Sequence, residues 1–302
     1  MSAVMAGAAP VVRSRGYWAS TVVRFVRDPV ALFALAVVLV LFAMAAFGPM
    51  IAPQDPFASS MLGRLKPIGA EGNPLGTDEL GRDVAMRLAF GARVSLTVGI
   101  AAALAAASMG TAIGLVSGYA GGRVDAVLMR MTDAVLSLPV LPVLIVLAAV
   151  DPAKLGLPDA DAAGLWRIVA IVAAFGWPKV ARLVRAATLS LRARDFVRAA
   201  EALGATPSRI VLAHILPNCA APILVATALA VGGTILFESV LSFLGLGIQP
   251  PLPSWGNMLT GAQETIWQAP WLALWPGLAI LLTVAAINLV ADALQDRLDP
   301  RR

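Results

Sequence analysis

Charge is the scarcest commodity in this chain. Only 14% of its 302 residues are charged, while 59% are hydrophobic, and its mean hydropathy is +0.82. A soluble domain is nearer one quarter charged and one half apolar, so the composition excludes an ordinary water-soluble fold and points to a bilayer. There is one cysteine, Cys219, which excludes an internal disulfide framework and a cysteine metal site. The single histidine, His214, leaves little material for a histidine metal centre or a proton relay. No Gly-x-x-x-x-Gly-Lys-Ser/Thr stretch occurs, so the chain has no phosphate-cradling loop of its own. A Gly-x-Ser-x-Gly elbow and a His-Glu-x-x-His pair are also missing, and no catalytic set can be assembled.

What is present is a series of long apolar runs. Val30 to Ala52 is free of charge and too long for a cleaved leader, which predicts a retained anchor. Val94 to Gly122 predicts a second span. Its Gly110, Gly114 and Gly118 recur every four residues and share one helical face, where another helix can pack closely. Ala134 to Val150 predicts a third span containing Pro139 and Pro142, with a kink that faces protein. A fourth, about Ala163 to Val184, crosses only if Arg167 and Lys179 snorkel to opposite interfaces. Ile210 to Phe237 and Thr265 to Ala291 complete six. The uncharged run 239–263 is excluded as a span because Gly245, Gly247, Gly256, Gly261, Pro250, Pro251 and Pro253 predict a long ordered loop.

Six spans put 16 of the 23 Lys and Arg residues on one side, with both termini and residues 179–213. The positive-inside bias makes that side cytoplasmic, and it accounts for the +5 net charge without nucleic acid. Between the fourth and fifth spans lies a polar island, residues 195–218. Asp195 to Leu203 favours helix, Gly204 is a C-terminal stop, Thr206 offers an N-cap, and Pro207 suits a first helical position. Such a helix–Gly–helix elbow is either a docking surface for another protein or an ordinary basic loop. Glu238, near the outer end of the fifth span, is a candidate buried carboxylate; bonding to the backbone of the adjoining glycine-rich loop is the structural alternative. Residues Gly245 to Pro270, with Trp255, Asn257 and Trp267, form either a contact for an external protein or, with Trp271 and Trp275, an aromatic interface belt.

The island resembles the cytoplasmic EAA loop of membrane subunits in binding-protein-dependent ABC importers. Ala199 and Ala200 match the two alanines, Gly204 the glycine, and Ile215, Leu216 and Pro217 the closing element. Arg198 stands where the motif's leading Glu would be, with Glu201 three residues on. The blocks Pro74 to Asp83 and Gly91 to Leu96 resemble the start of the core in dipeptide and oligopeptide permeases. Leu241 to Gly247 and Pro253 to Met258 resemble their last external loop. Arg27-Asp28-Pro29 and Leu298-Asp299-Pro300-Arg301 fit the same group, the C-type permease half of dipeptide, oligopeptide or nickel importers.

The resemblance implies an all-α polytopic membrane protein with six transmembrane helices and the type I ABC importer permease fold. It implies a disordered cytoplasmic tail over 1–19, a first anchor and external segment over 20–92, and a five-helix core over 93–302. It further implies a bacterial inner-membrane location and a second related permease enclosing a pathway. Two cytoplasmic ATPases would dock on the EAA loops, holding the ATP and Mg that this chain lacks, and an external binding protein would deliver the solute. Di- or oligopeptides are the implied cargo; nickel or a metal complex, and a stand-alone ion-coupled transporter, are the alternatives.

Overall fold

The computed structural model describes residues 24–51, 55–150 and 161–298. The tail expected over 1–19 lies outside them. Apart from two isolated bridges, Ala70–Asn73 and Thr77–Asp83, the regular structure of the described residues is helical. α1 (Pro29–Ile51) starts where Asp28 accepts hydrogen bonds from the Val30 and Ala31 amides, at 3.0 and 3.3 Å. α2 (Val84–Ala120) starts on an Asp83 cap that accepts from the Met86 amide at 2.7 Å. Gly121, at φ 68°, ends it and turns the chain into α3 (Gly122–Ser137). α4 (Val140–Ala149), α5 (Asp161–Arg192), α6 (Asp195–Ala202), α7 (Ala220–Phe243), α8 (Trp255–Thr265) and α9 (Trp271–Leu298) follow.

Contacts give each helix its direction. A Cβ built on Gly110 would lie 2.7 Å from Val180 Cβ, one on Gly114 2.8 Å from Val184 Cβ, and one on Gly118 2.7 Å from Thr188 Cβ. The register is constant and ascending, so α2 and α5 run parallel along a glycine seam. Parallel neighbours need a returning segment between them, and α3 with α4 supplies it. Asp125, early in α3, pairs with Arg185, whereas Ala148, late in α4, packs with Val98 and Ile168. α1 opposes α2, as Gly48 meets Ala89, and its start meets the end of α9 through Asp28 and Arg297 at 3.1 Å. α7 opposes α2, with Thr234 donating to the Gly99 carbonyl at 2.7 Å.

Several expected boundaries are corrected. Among the described residues four helices, α1, α2, α7 and α9, are long and apolar enough to cross a membrane, and α3–α4 is a fifth candidate only as a pair bent by 84°. The third span is therefore not one rod over 134–150. It breaks at Leu138–Pro139, because Pro139 disfavours helix in the residue before it. The second span begins at Val84, ten residues before the charge-free run, because Arg87 is buried and ion-paired. The core boundary expected at residue 93 thus falls inside α2. Arg167, near the start of α5, donates its guanidinium to the carbonyls of Leu147, Ala148 and Val150, capping the C-terminal end of α4. α7 starts at Ala220, since residues 210–218 belong to the elbow, and it continues to Phe243. The loop expected over 239–263 is confined to 244–254, and Gly256 and Gly261 lie within α8. α9 begins at Trp271 rather than Thr265.

Candidate functional site

The elbow is built in four steps. α6 ends in a Schellman motif: the Ala205 amide bonds the Ala200 carbonyl and the Gly204 amide the Glu201 carbonyl, at 3.0 and 2.9 Å. That geometry needs a left-handed residue, and Gly204 has φ +78°. Thr206 then accepts from the Arg209 amide and Pro207 takes the first position of the one-turn helix Pro207–Arg209. Ile210–Ile215 forms a π-helical turn, in which the Leu216 amide reaches back to the Val211 carbonyl. Pro217 has no amide hydrogen to give to the ordinary α-helical ladder, which suits a register shift just before it.

The elbow has two faces. Val197, Ile210, Ile215 and Cys219 are fully buried and pack with Leu115 of α2 and Val180 and Val184 of α5. On the other face Leu203 is 88% exposed and Leu212 61%, with Phe196 also uncovered. Arg198, Ala199, Glu201, Gly204 and Pro217 are exposed, Ala200 and Leu216 are half-buried, and Ile215 is buried. A Cβ at Gly204 would meet nothing within 4 Å. Backbone strain, not crowding within this chain, is therefore what a substitution there introduces. The elbow lies at the same end as Asp28 and Arg297, where Asp125 also takes a bidentate pair from Arg185, at 2.5 and 2.6 Å, and a hydrogen bond from Ser117. Arg192 stacks 5.5 Å above the Tyr119 ring, so the glycine seam is clamped where the elbow leaves it.

The opposite end holds Glu238, which is completely buried. Its partners are serine hydroxyls rather than the loop backbone expected from the sequence. Ser242 donates at 2.7 Å, and Ser239, Ser95 and Ser254 contribute further hydrogen bonds. The Ser242 hydroxyl accepts in turn from the Ile248 amide, and that of Ser95 accepts from the Trp255 amide. The carboxylate thereby joins α2, α7 and the start of α8. Trp255 is 0% exposed and its indole donates to the Leu88 carbonyl at 3.1 Å. Asn257 closes a reciprocal capping box with Ser254 and donates to the Ile248 and Leu252 carbonyls. Trp255 is thus turned inward, and Asn257, half-buried, holds the loop. Trp267, 96% exposed, remains available. Ser254-x-x-Asn257 was the sequence signal that could have placed the start of α8. Ser239 and Ser242, one and four residues beyond Glu238, were a local signal for two of its partners; Ser95 and Ser254 lie farther off in the chain.

The acidic and basic residues of 78–83 form a compact ion-paired knot. Asp78 takes hydrogen bonds from the Leu80 and Arg82 amides and a 2.6 Å bond from Arg82 Nε, and Arg87 Nε lies 3.3 Å away. The charge alternation was visible in the sequence, but the buried Arg87 that completes the knot was not.

Comparison with known proteins matches residues 110–302 to the family described as binding-protein-dependent transport system inner membrane component. Residues 16–67 match the N-terminal transmembrane domain of oligopeptide transport permease C. An oligopeptide transport system permease of Bacillus subtilis is 35% identical over 289 residues, 96% of this chain and 91% of the relative. A di/tripeptide transport system permease of Pseudomonas aeruginosa is 39% identical over 292 residues, 94% and 91% of the two chains. A glutathione transport system permease of Pectobacterium atrosepticum is 38% identical over 295 residues, 97% and 95%.

Proposed function

This chain belongs to the binding-protein-dependent transport system inner membrane components, and from that premise we infer that it is one permease subunit of an ATP-driven importer of short peptides. A second, related permease completes the pathway, two cytoplasmic ATPases supply the energy, and an external binding protein delivers the cargo. The peptide reading draws on relatives named for oligopeptides, di/tripeptides and glutathione. The chain crosses the inner membrane six times, with α3–α4 as the broken third crossing, and both ends are cytoplasmic. The contact of Asp28 with Arg297 supports one side for both ends, and the excess of Lys and Arg makes that side the inner one.

The observation that carries the reading is the two-faced elbow at that inner end. One face is locked into α2 and α5, while Leu203 and Leu212 stand uncovered on the other. An ATPase seated there moves the elbow as one body, because Val197, Ile210 and Ile215 leave it no slack. The motion enters the α2–α5 seam as well as α7, and so changes which side the pathway opens to. Leu203→Asp tests this. Among the described residues nothing covers Leu203, so the subunit folds and inserts normally while ATPase co-purification and ATP-driven peptide uptake are lost. Retention of both at wild-type levels would refute docking at the elbow. Gly204→Asn tolerates the left-handed backbone and keeps more coupling than Gly204→Arg, whose bulk meets only the partner.

A further inference from the structure

At the end opposite the elbow the chain encloses a cavity of about 330 Å³, within the size range of small-ligand sites. Its walls come from residues 78–87, the turn at 245–250, α8 and Leu272 of α9. Val84, Ile248, Met258 and Leu272 give it an apolar side. Four charged side chains also line it, Asp78, Glu79, Arg82 and Arg87, and the two signs balance.

Hydrogen bonding in this set is uneven. Asp78 has its two amide donors and both arginines, while Arg82 spans Asp78 and Glu79 at 2.6 and 3.0 Å. Gln249 and Asn257 spend their donors on carbonyls of the 244–254 loop, and Thr260 on the Phe243 carbonyl at the end of α7. Arg87 is 5% exposed, and beyond its Nε contact with Asp78 its Nη1 has no partner among the described residues. A buried cationic donor without an acceptor is unfavourable and rare. A guanidinium edge fits the planar oxygens of a carboxylate. The unpartnered Arg87 donor calls for an acceptor, the neighbouring Asp78 and Glu79 disfavour more than one negative charge on it, and the apolar side suits a short carbon stem.

We propose that this cavity is a carboxylate subsite, in which Arg87 holds the carboxylate and the Val84–Met258–Leu272 wall holds its stem. The proposal rests on the reading that this end faces outward. The carboxylate comes either from the terminus of a short peptide or from an acidic side chain of the external binding protein, and the test separates the two. The complete transporter complex in nanodiscs, without binding protein, is titrated calorimetrically with N-acetyl-Ala-Ala and with its C-terminal amide. The acid binds at least tenfold more tightly than the amide, Arg87→Gln abolishes the preference, and Arg87→Lys restores part of it. In a second arm the binding protein is titrated onto the same complexes. If its docking weakens tenfold in Arg87→Gln, recovers in Arg87→Lys, and the free acid shows no preference, the carboxylate is the protein's.

Gln249→Trp fills the mouth of the cavity from an exposed turn and gives the same losses without touching Arg87. Equal binding of acid and amide together with unchanged docking in all variants overturns the proposal and leaves water as the occupant. ATP-driven uptake by the unaltered complex is the control. Uptake with no carboxylate effect sinks the subsite alone, whereas a complex without ATP-driven uptake sinks the transporter reading.

Discussion

Gly114→Ala places a methyl group where the α2–α5 seam has no room. Its Cβ would sit 2.7 Å from the Ala181 carbonyl oxygen, 2.8 Å from Val184 Cβ and 2.9 Å from the Arg185 amide nitrogen. Carbon pairs rest at about 3.5–4.0 Å, so the helices must part by roughly 0.7–1 Å. Two of the three obstructing atoms are backbone, and the third belongs to a β-branched side chain with one favoured rotamer in a helix. Overpacking of this kind costs about 1–3 kcal/mol. Alanine's better helix propensity returns up to about 1 kcal/mol, so the overpacking shows in full, about 1–3 kcal/mol, only against a control with the same gain. Gly233→Ala is the matched control, because a Cβ there meets nothing within 4 Å; it gains the propensity and loses nothing. Thermal unfolding of the isolated subunit in detergent, followed by tryptophan fluorescence, places Gly114→Ala several degrees below Gly233→Ala. If Gly114→Ala melts at or above the control, the seam is not close-packed, and the elbow has no tight joint through which to act. Gly110 and Gly118 share the joint, so their alanine variants are coupled to this one and do not add to it.

Trp255→Ala empties a fully buried site and removes the indole bond to Leu88, so it destabilises the subunit by about 3–5 kcal/mol; denaturant melts measure it. Trp267→Ala, at a 96% exposed residue, leaves those melts unchanged and instead lowers the stimulation of ATP hydrolysis by binding protein, and unchanged stimulation removes Trp267 from the docking face. Asp28 has its carboxyl held below the usual range by the Ala31 amide and then by Arg297. Its stabilisation is therefore complete above the ordinary pKa of 3.8 and fades as pH falls through the depressed value. Asp28→Asn consequently lowers the melting temperature at pH 7, and the gap from wild type closes towards strongly acidic pH; a gap that widens on acidification contradicts the pairing.

The elbow was legible because its signals are local. Gly204, Thr206 and Pro207 each constrain one or two backbone angles, and the structure puts a left-handed turn, a cap and a first helical residue at those positions. Gly110, Gly114 and Gly118 were legible for the same reason, as a face defined by helical periodicity. What charge-free length could not supply was where helices begin and end. Arg87 and Arg167 each interrupt an apolar run, yet both sit inside helices because partners outside their own helix, Asp78 and the carbonyls at the end of α4, neutralise or absorb them. Residues 255–265 carry two glycines and still form α8, because Gly256 and Gly261 admit Ser239 and Glu79 at distances that a side chain would block. Long-range packing overrode local propensity there, and a single sequence holds no record of it.

α2 connects everything that matters in this chain. Its 37 residues extend about 55 Å at 1.5 Å per residue. Arg87 lines the cavity one turn from its start, Ser95 meets Glu238, Gly99 receives Ile235, Gly110, Gly114 and Gly118 hold α5, and Leu115 joins the elbow cluster. A helix fixed by so many contacts under 3 Å from an added Cβ cannot slide past its neighbours in small steps, since each step meets backbone. It can only move with them. α2, α5 and the elbow therefore form one stiff body, and α3 with α4, bent by 84° at Leu138–Pro139, returns the chain between its two parallel helices. Any displacement of the elbow therefore reaches Arg87 as a rotation of that body rather than as a relay of side-chain shifts.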